Sequence, residues 1–97
     1  MDKVVLVVDD STTVRKFVAA SLNMKGFRVV TAADGVEALE RMPAEKFDLI
    51  ITDLNMPDMD GFEFIRTLRE TPEYREIPII VLSSMNDLKN KDYALEL

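Results

Sequence analysis

Three aspartates, Asp9, Asp10 and Asp53, are the side chains of this 97-residue sequence whose type and placement can do chemistry. Asp9 and Asp10 follow directly on the β-branched run VVLVV. Asp53 stands near the end of the run FDLIITDL, which is apolar apart from Asp48, Thr52 and Asp53 itself. A near-continuous apolar run of this kind suits a parallel strand covered on both faces. Asn55, Pro57, Asp58, Asp60 and Gly61 then crowd together and mark a loop. Open α/β sheets place ligand sites at the carboxyl ends of their strands. Taken singly, each residue also has a plainer reading. Asp53 suits a helix cap or a turn. Asp9-Asp10 suits a helix N-cap with a charged neighbour. Ser83, which follows the apolar run IIVL, suits a turn or a cap.

The three carboxylates mean more if they meet. At about 5 Å and an effective dielectric of about 20, each like-charged pair costs roughly 3 kcal/mol. Such a cluster takes up a proton or a cation. The chain has no histidine and no cysteine, so any metal ligands are oxygen atoms. That donor set points to Mg²⁺, which takes one or two carboxylates, several waters and a phosphate oxygen. Phosphoryl chemistry follows, because a carboxylate can itself be the nucleophile and form an aspartyl phosphate. Ser83 at the end of a neighbouring strand can donate its hydroxyl to a phosphoryl oxygen.

The elements that would bring these residues together can be read in chain order. Residues 3–8 form a first strand. Asp10 or Ser11 caps a helix whose apolar stripe is Val14, Phe17, Val18, Ser21 and Leu22, and Gly26 stops it. Residues 28–32 form a second strand. Asp34-Gly35 turns the chain into a second helix, with Val36, Leu39 and Met42 on its buried face and Pro43 beyond its end. Residues 47–54 form the third strand. Gly61 opens a third helix with Phe62, Ile65 and Leu68 inward and Phe64 beside them, closed by Pro72. Residues 77–82 form a fourth strand, with Pro78 tolerable near its start. Asn86 or Asp87 caps a last helix carrying Leu88, Ala94, Leu95 and Leu97.

Alternation of β and α means a parallel sheet with helices on both faces. The fold class is therefore α/β, and the expectation is a flavodoxin-like doubly wound sheet. If the first and third strands are neighbours, as in the flavodoxin-like order 2-1-3-4-5, their carboxyl ends bring Asp9, Asp10 and Asp53 to the topological switch point.

Composition narrows the partners. The net charge is −6, with 18 acidic against 12 basic side chains. That argues against direct nucleic-acid binding, which needs clustered positive charge. No disulfide or thiolate metal site can form. No apolar run approaches a membrane span, and the amino terminus lacks the pattern of a secretory signal. The expectation is one cytoplasmic domain covering residues 1–97.

The segments VLVVDDST, FDLIITDLNMPDMDGFEF and IPIIVLSS together resemble the receiver domain of two-component response regulators, the single-domain chemotaxis type above all. The resemblance implies that Asp53 is the phosphoacceptor. It implies that Asp9, Asp10, Asp53 and the backbone carbonyl of Asn55 hold Mg²⁺. It makes Ser83 the switch hydroxyl, with the amides near Asn55 and Ser84 on the phosphoryl group. The donor would be the phosphohistidine of a sensor histidine kinase or a histidine phosphotransfer protein, and the output partner stays unnamed. Such a module is a phosphoacceptor with at most self-phosphorylation and self-dephosphorylation, rather than an enzyme.

The sequence departs from the family pattern of five βα units. Four are present, in the expected strand order 2-1-3-4, so the reading is of a C-terminally truncated receiver. The fifth-strand lysine and the proline after it have no match, since Lys89 and Lys91 lie in the fourth helix region. The aromatic switch residue is also missing, because Tyr93 does not match it. A chain ending this way would leave its fourth strand open at the edge, and it would be unstable alone or pair there as a homodimer. Two other functions compete. A degenerate receiver would bind partners without phosphate. A haloacid-dehalogenase-type phosphatase also uses a strand-end aspartate, but it resembles D-x-D at the nucleophile, where this chain has D-D-S and D-L-N.

Overall fold

A computed structural model describes residues 3–54 and 59–82. The elements run β1 (Val4–Val8), α1 (Thr12–Met24), β2 (Arg28–Ala32), α2 (Gly35–Arg41), a 3-10 turn (Met42–Ala44), β3 (Leu49–Asp53), α3 (Gly61–Glu70) and β4 (Ile79–Leu82). The four strands form one sheet in the order β2-β1-β3-β4, and every neighbouring pair is parallel. This is the flavodoxin-like arrangement. The expected last helix, with Ser83 and Ser84 before it, lies outside the described residues, as does Asn55.

β1 is central, and from Val5 to Val8 it is fully buried. Alternate residues serve the two faces of the sheet. Leu6, Val8, Ala32 and Ile50 pack with Ala38 and Met42 and with Phe64 and Leu68 of α3. Val5, Val7 and Ile51 face the other way, against Val18 and Leu22 of α1. A buried side chain of this size is worth roughly 1.5–3 kcal/mol against exposure, so the strands are held chiefly by these two faces.

Local chemistry starts and stops the helices. Ser11 caps α1, its Oγ accepting the Val14 N–H at 3.2 Å. Asp34 caps α2 and Asp60 caps α3, each accepting the amide three residues on at 2.8 Å. Glu37 reaches back to accept the Ala33 N–H at 2.8 Å, so α2 has donors satisfied from both sides. α1 ends at Gly26, whose φ of +92° lies where glycine alone is unstrained.

Ile65, Leu68 and Met42 are buried as expected, but the first residue of each stripe is not the one expected. In α3 the buried residues are Gly61, Phe64, Ile65 and Leu68, while Phe62 is half-buried. In α2 they are Gly35 and Ala38, followed by Met42 in the 3-10 turn, while Val36 is exposed. Both stripes begin at the glycine after the capping aspartate. Phe17 of α1, also expected inside, is 72% exposed.

Three strands are shorter than expected, β1 by the one residue Lys3. The Asp48 carboxylate accepts the Val4 N–H at 2.8 Å, and the pairing of β1 with β3 begins only at Val5 and Leu49. Beyond Asp53 the chain turns away, and the Leu54 carbonyl accepts the Gly61 N–H at 2.8 Å. Ile77 belongs to a turn, donating to the Tyr74 carbonyl and accepting from Arg69, so β4 starts at Ile79.

Candidate functional site

The register decides what meets at the carboxyl edge. Val8 lies beside Thr52 on one side and Ala32 on the other. The next residue of each central strand is an aspartate, Asp9 after β1 and Asp53 at the end of β3. Oxygen atoms of Asp9, Asp10 and Asp53 all lie within 4.8 Å of one another. The three residues singled out in the sequence are therefore one cluster. Asp9 is buried, Asp53 half-buried and Asp10 exposed, so the cluster opens to solvent at one side.

Asp9 and Asp53 are each held by a main-chain amide that follows in their own segment. Asp9 Oδ1 accepts the Ser11 N–H at 2.8 Å, which places it at the start of α1. The Asp9 amide continues the sheet by donating to the Ala32 carbonyl at 3.1 Å. Asp53 Oδ1 accepts the Leu54 N–H at 2.7 Å. Burial pushes the Asp9 carboxyl above its usual range, and the neighbouring Asp10 adds to this. The Ser11 amide and the Arg15 guanidinium act in the opposite sense.

Gly61 closes the far side. A Cβ on this residue would meet the Asp53 carbonyl oxygen, and would come within 2.6 Å of the Leu54 Cα. Only a residue without a side chain lets α3 start so close to the end of β3. Gly35 has the same role at α2, where a Cβ would come within 2.9 Å of the Met59 Sδ.

The donors are oxygen atoms of three acidic groups, one of them buried and disfavoured in its charged form. That set fits a hard divalent cation, which relieves the repulsion that otherwise raises the Asp9 proton affinity.

The response regulator receiver domain family matches this chain over residues 5–97. The chain belongs to that family. As a receiver domain it is a module of two-component, phosphorelay signalling. It is 40% identical over 95 residues to a probable transcriptional regulator, ycf27, of Cyanophora paradoxa, a match spanning 98% of this chain and 38% of that protein. It is 48% identical over 91 residues to the sensor protein EvgS of Escherichia coli K12, spanning 94% of this chain and 7% of that protein. The receiver domain thus spans well under half the length of these relatives. Among solved structures it resembles the chemotaxis response regulator CheY4 of Vibrio cholerae, with a TM-score of 0.87, 40% identity, and coverage of 98% of this chain and 80% of that one. A response regulator receiver protein from Pseudomonas putida superposes with a TM-score of 0.89 at 31% identity, covering 99% and 79% of the two chains.

Two parts of this receiver domain's site were not apparent in the sequence reading. Arg15 bonds the Asp9 carbonyl at 2.6 Å from the first turns of α1, and a lone arginine in an amphipathic helix gives no signal of that. Gly61 had a signal, the Asp-Gly pair, but it was read only as a helix start. Among the described residues no helix is long and apolar enough to cross a membrane.

Proposed function

We propose that this receiver domain accepts a phosphoryl group on Asp53, with Asp9 and Asp10 completing an Mg²⁺ site beside it, and that the modification switches binding to an output partner. The observation that carries this reading is the convergence of three carboxylates within 4.8 Å at the carboxyl ends of β1 and β3. Asp53 is the member of that cluster that ends the third strand, half-buried at the mouth of the cluster. Asp9, Asp10 and Asp53 would hold the Mg²⁺, which would supply positive charge against the charge of the transferred phosphoryl group.

The chain's own part is to orient a nucleophile. A carboxylate oxygen of Asp53 forms the new O–P bond as the donor's N–P bond breaks, and the electron pair of that bond leaves on the imidazole nitrogen of a phosphohistidine. Asp53 Oδ1 is tied to the Leu54 amide, which fixes the carboxyl plane. Asp9, anchored to Ser11, and Asp10 stand beside it, and their carboxyl groups favour a bound cation. Ser83, and the amides near Asn55 and Ser84, complete the phosphoryl contacts in this reading, as does the Asn55 carbonyl for the cation. Leu82 pairs with Asp53, so Ser83 follows a strand that ends beside the acceptor.

The donor is a sensor histidine kinase or a histidine phosphotransfer protein, and the setting is cytoplasmic. The module is a phosphoacceptor rather than a multiple-turnover enzyme. Self-association along β4, the outermost strand among the described residues, belongs to the same reading.

The test uses acetyl phosphate as donor, with reduction of the acyl phosphate and mass spectrometry of the peptides. The label is expected on Asp53, only in the presence of Mg²⁺, and absent from Asp53→Asn. A label on Asp9 or Asp10, or one that persists in Asp53→Asn, overturns the assignment. Partner binding that is the same for the phosphorylated chain and for Asp53→Ala would favour a receiver working by protein contact alone.

A further inference from the structure

Arg15 is the residue of the site that the phosphoacceptor reading leaves without a role. It is half-buried in the first turns of α1. One guanidinium nitrogen, Nη1, donates to the Asp9 carbonyl oxygen at 2.6 Å, and Nη2 donates to Thr12 Oγ1 at 3.2 Å. Both acceptors are neutral, so these bonds fix the guanidinium without neutralising it. The guanidinium is thus held on the main chain of Asp9, whose carboxyl group belongs to the acidic cluster. A unit charge on the main chain of Asp9 acts through space on the carboxyl group of that residue, whose oxygen lies within 4.8 Å of oxygens of Asp10 and Asp53.

Two effects of opposite sign follow. In the metal-free chain the guanidinium offsets part of the repulsion among Asp9, Asp10 and Asp53. Its pull on Asp9 against the burial of that carboxyl group is consistent with this. Toward an arriving divalent cation, the same charge is repulsive.

We propose that Arg15 is a fixed counter-charge of the acidic cluster, a positioning residue that lets three carboxylates stay together without metal and lowers the affinity with which they hold a divalent cation. The inference rests on the reading of the cluster as a cation site. Its consequence is an exchangeable ion: the cluster folds without it and releases it readily.

The sign of one measurement separates this role from simple bracing of the β1–α1 turn. If Arg15 only braced the turn, its loss would loosen Asp9 and weaken cation binding. As a counter-charge, its loss strengthens binding. Mg²⁺ is titrated into the full chain and into Arg15→Met and Arg15→Lys, following backbone amide shifts next to Asp9, Asp10 and Asp53. Melting in chelator is recorded in parallel. Arg15→Met is expected to bind Mg²⁺ about three- to tenfold more tightly, the size of a through-space interaction with a divalent ion in a largely aqueous setting. It should also melt at a lower temperature in chelator. Arg15→Lys keeps the charge and should stay near the unaltered chain in affinity. Should Arg15→Met not fold, Arg15→Gln carries the same comparison. Equal or weaker Mg²⁺ binding by a folded neutral variant overturns the inference, as does an Arg15→Lys affinity that matches the neutral variant. The absence of any Mg²⁺ response in the unaltered chain overturns the cation site, and the inference with it.

Discussion

Two demands conflict at Asp9. The residue is 6% exposed, which disfavours its charge, yet its Oδ1 is needed to accept the Ser11 amide at 2.8 Å. An asparagine keeps the acceptor and removes the charge. Asp9→Asn should therefore stabilise the metal-free chain, by about 1–2 kcal/mol on the scale of a partly screened carboxylate pair. It should also blunt any stabilisation that Mg²⁺ lends the unaltered chain at the proposed site. The pH dependence has a definite sign. The folded-state pKa of Asp9 is raised above its ordinary 3.8, so the fold prefers the neutral acid. The stability lent by protonation is fully present below the unfolded value and is lost as pH rises through the raised one. Urea unfolding in chelator at a series of pH values should show the gap between Asp9→Asn and the unaltered chain opening as pH rises from about 4. A variant less stable than the unaltered chain at neutral pH would show that the carboxylate is needed for something other than its charge.

The aromatic residues of the helices were the hardest to place from sequence, and they provide the sharpest comparison. Phe64 is fully buried between sheet and helices, and its truncation to alanine should cost about 3–5 kcal/mol in urea unfolding. Phe17 is 72% exposed, and Phe17→Ser should change stability by no more than about 0.5 kcal/mol. Equal losses from the two would contradict the packing described for α1. The difference between them was not visible in the apolar spacing, because Phe17 and Phe64 both stand at helical intervals from other apolar residues. The strands were more legible. Buried on both faces, β1 and β3 show as apolar runs whatever the packing details, and the aspartates at their ends were therefore placed correctly. In α2 and α3 the stripe starts at Gly35 and Gly61, whose lack of a side chain hides them from a hydrophobic pattern. Their inward position is set by close approach to Met59 and to the end of β3, a tertiary constraint. Arg15 was illegible for a similar reason, since its partner is a main-chain oxygen.

Across the whole sheet, β4 pairs with β3 among the described residues, and Ile80 on it is 50% exposed. Among the described residues β4 has a strand on one side only, and an apolar strand so placed invites pairing with another chain. Sedimentation equilibrium should find a concentration-dependent dimer, and Ile80→Lys should shift it to monomer. A monomer at every concentration would remove the edge from consideration. The order β2-β1-β3-β4 also governs how the molecule is made. Among the described residues no strand pairs through a short hairpin, and the central contact joins Val5 to Leu49 across α1, β2 and α2. Folding must close that long loop before the sheet can reward it, which makes such topologies slow. Asp9 and Asp53 sit at the far ends of those two strands, so the acidic cluster exists only after the slowest contact has formed. Mg²⁺ then has nothing to bind in the partly folded chain. In stopped-flow measurements it should slow unfolding and leave the folding rate nearly unchanged, the mark of an interaction completed after the barrier. A cation that speeds folding would mean that the two strand ends meet earlier than the topology implies.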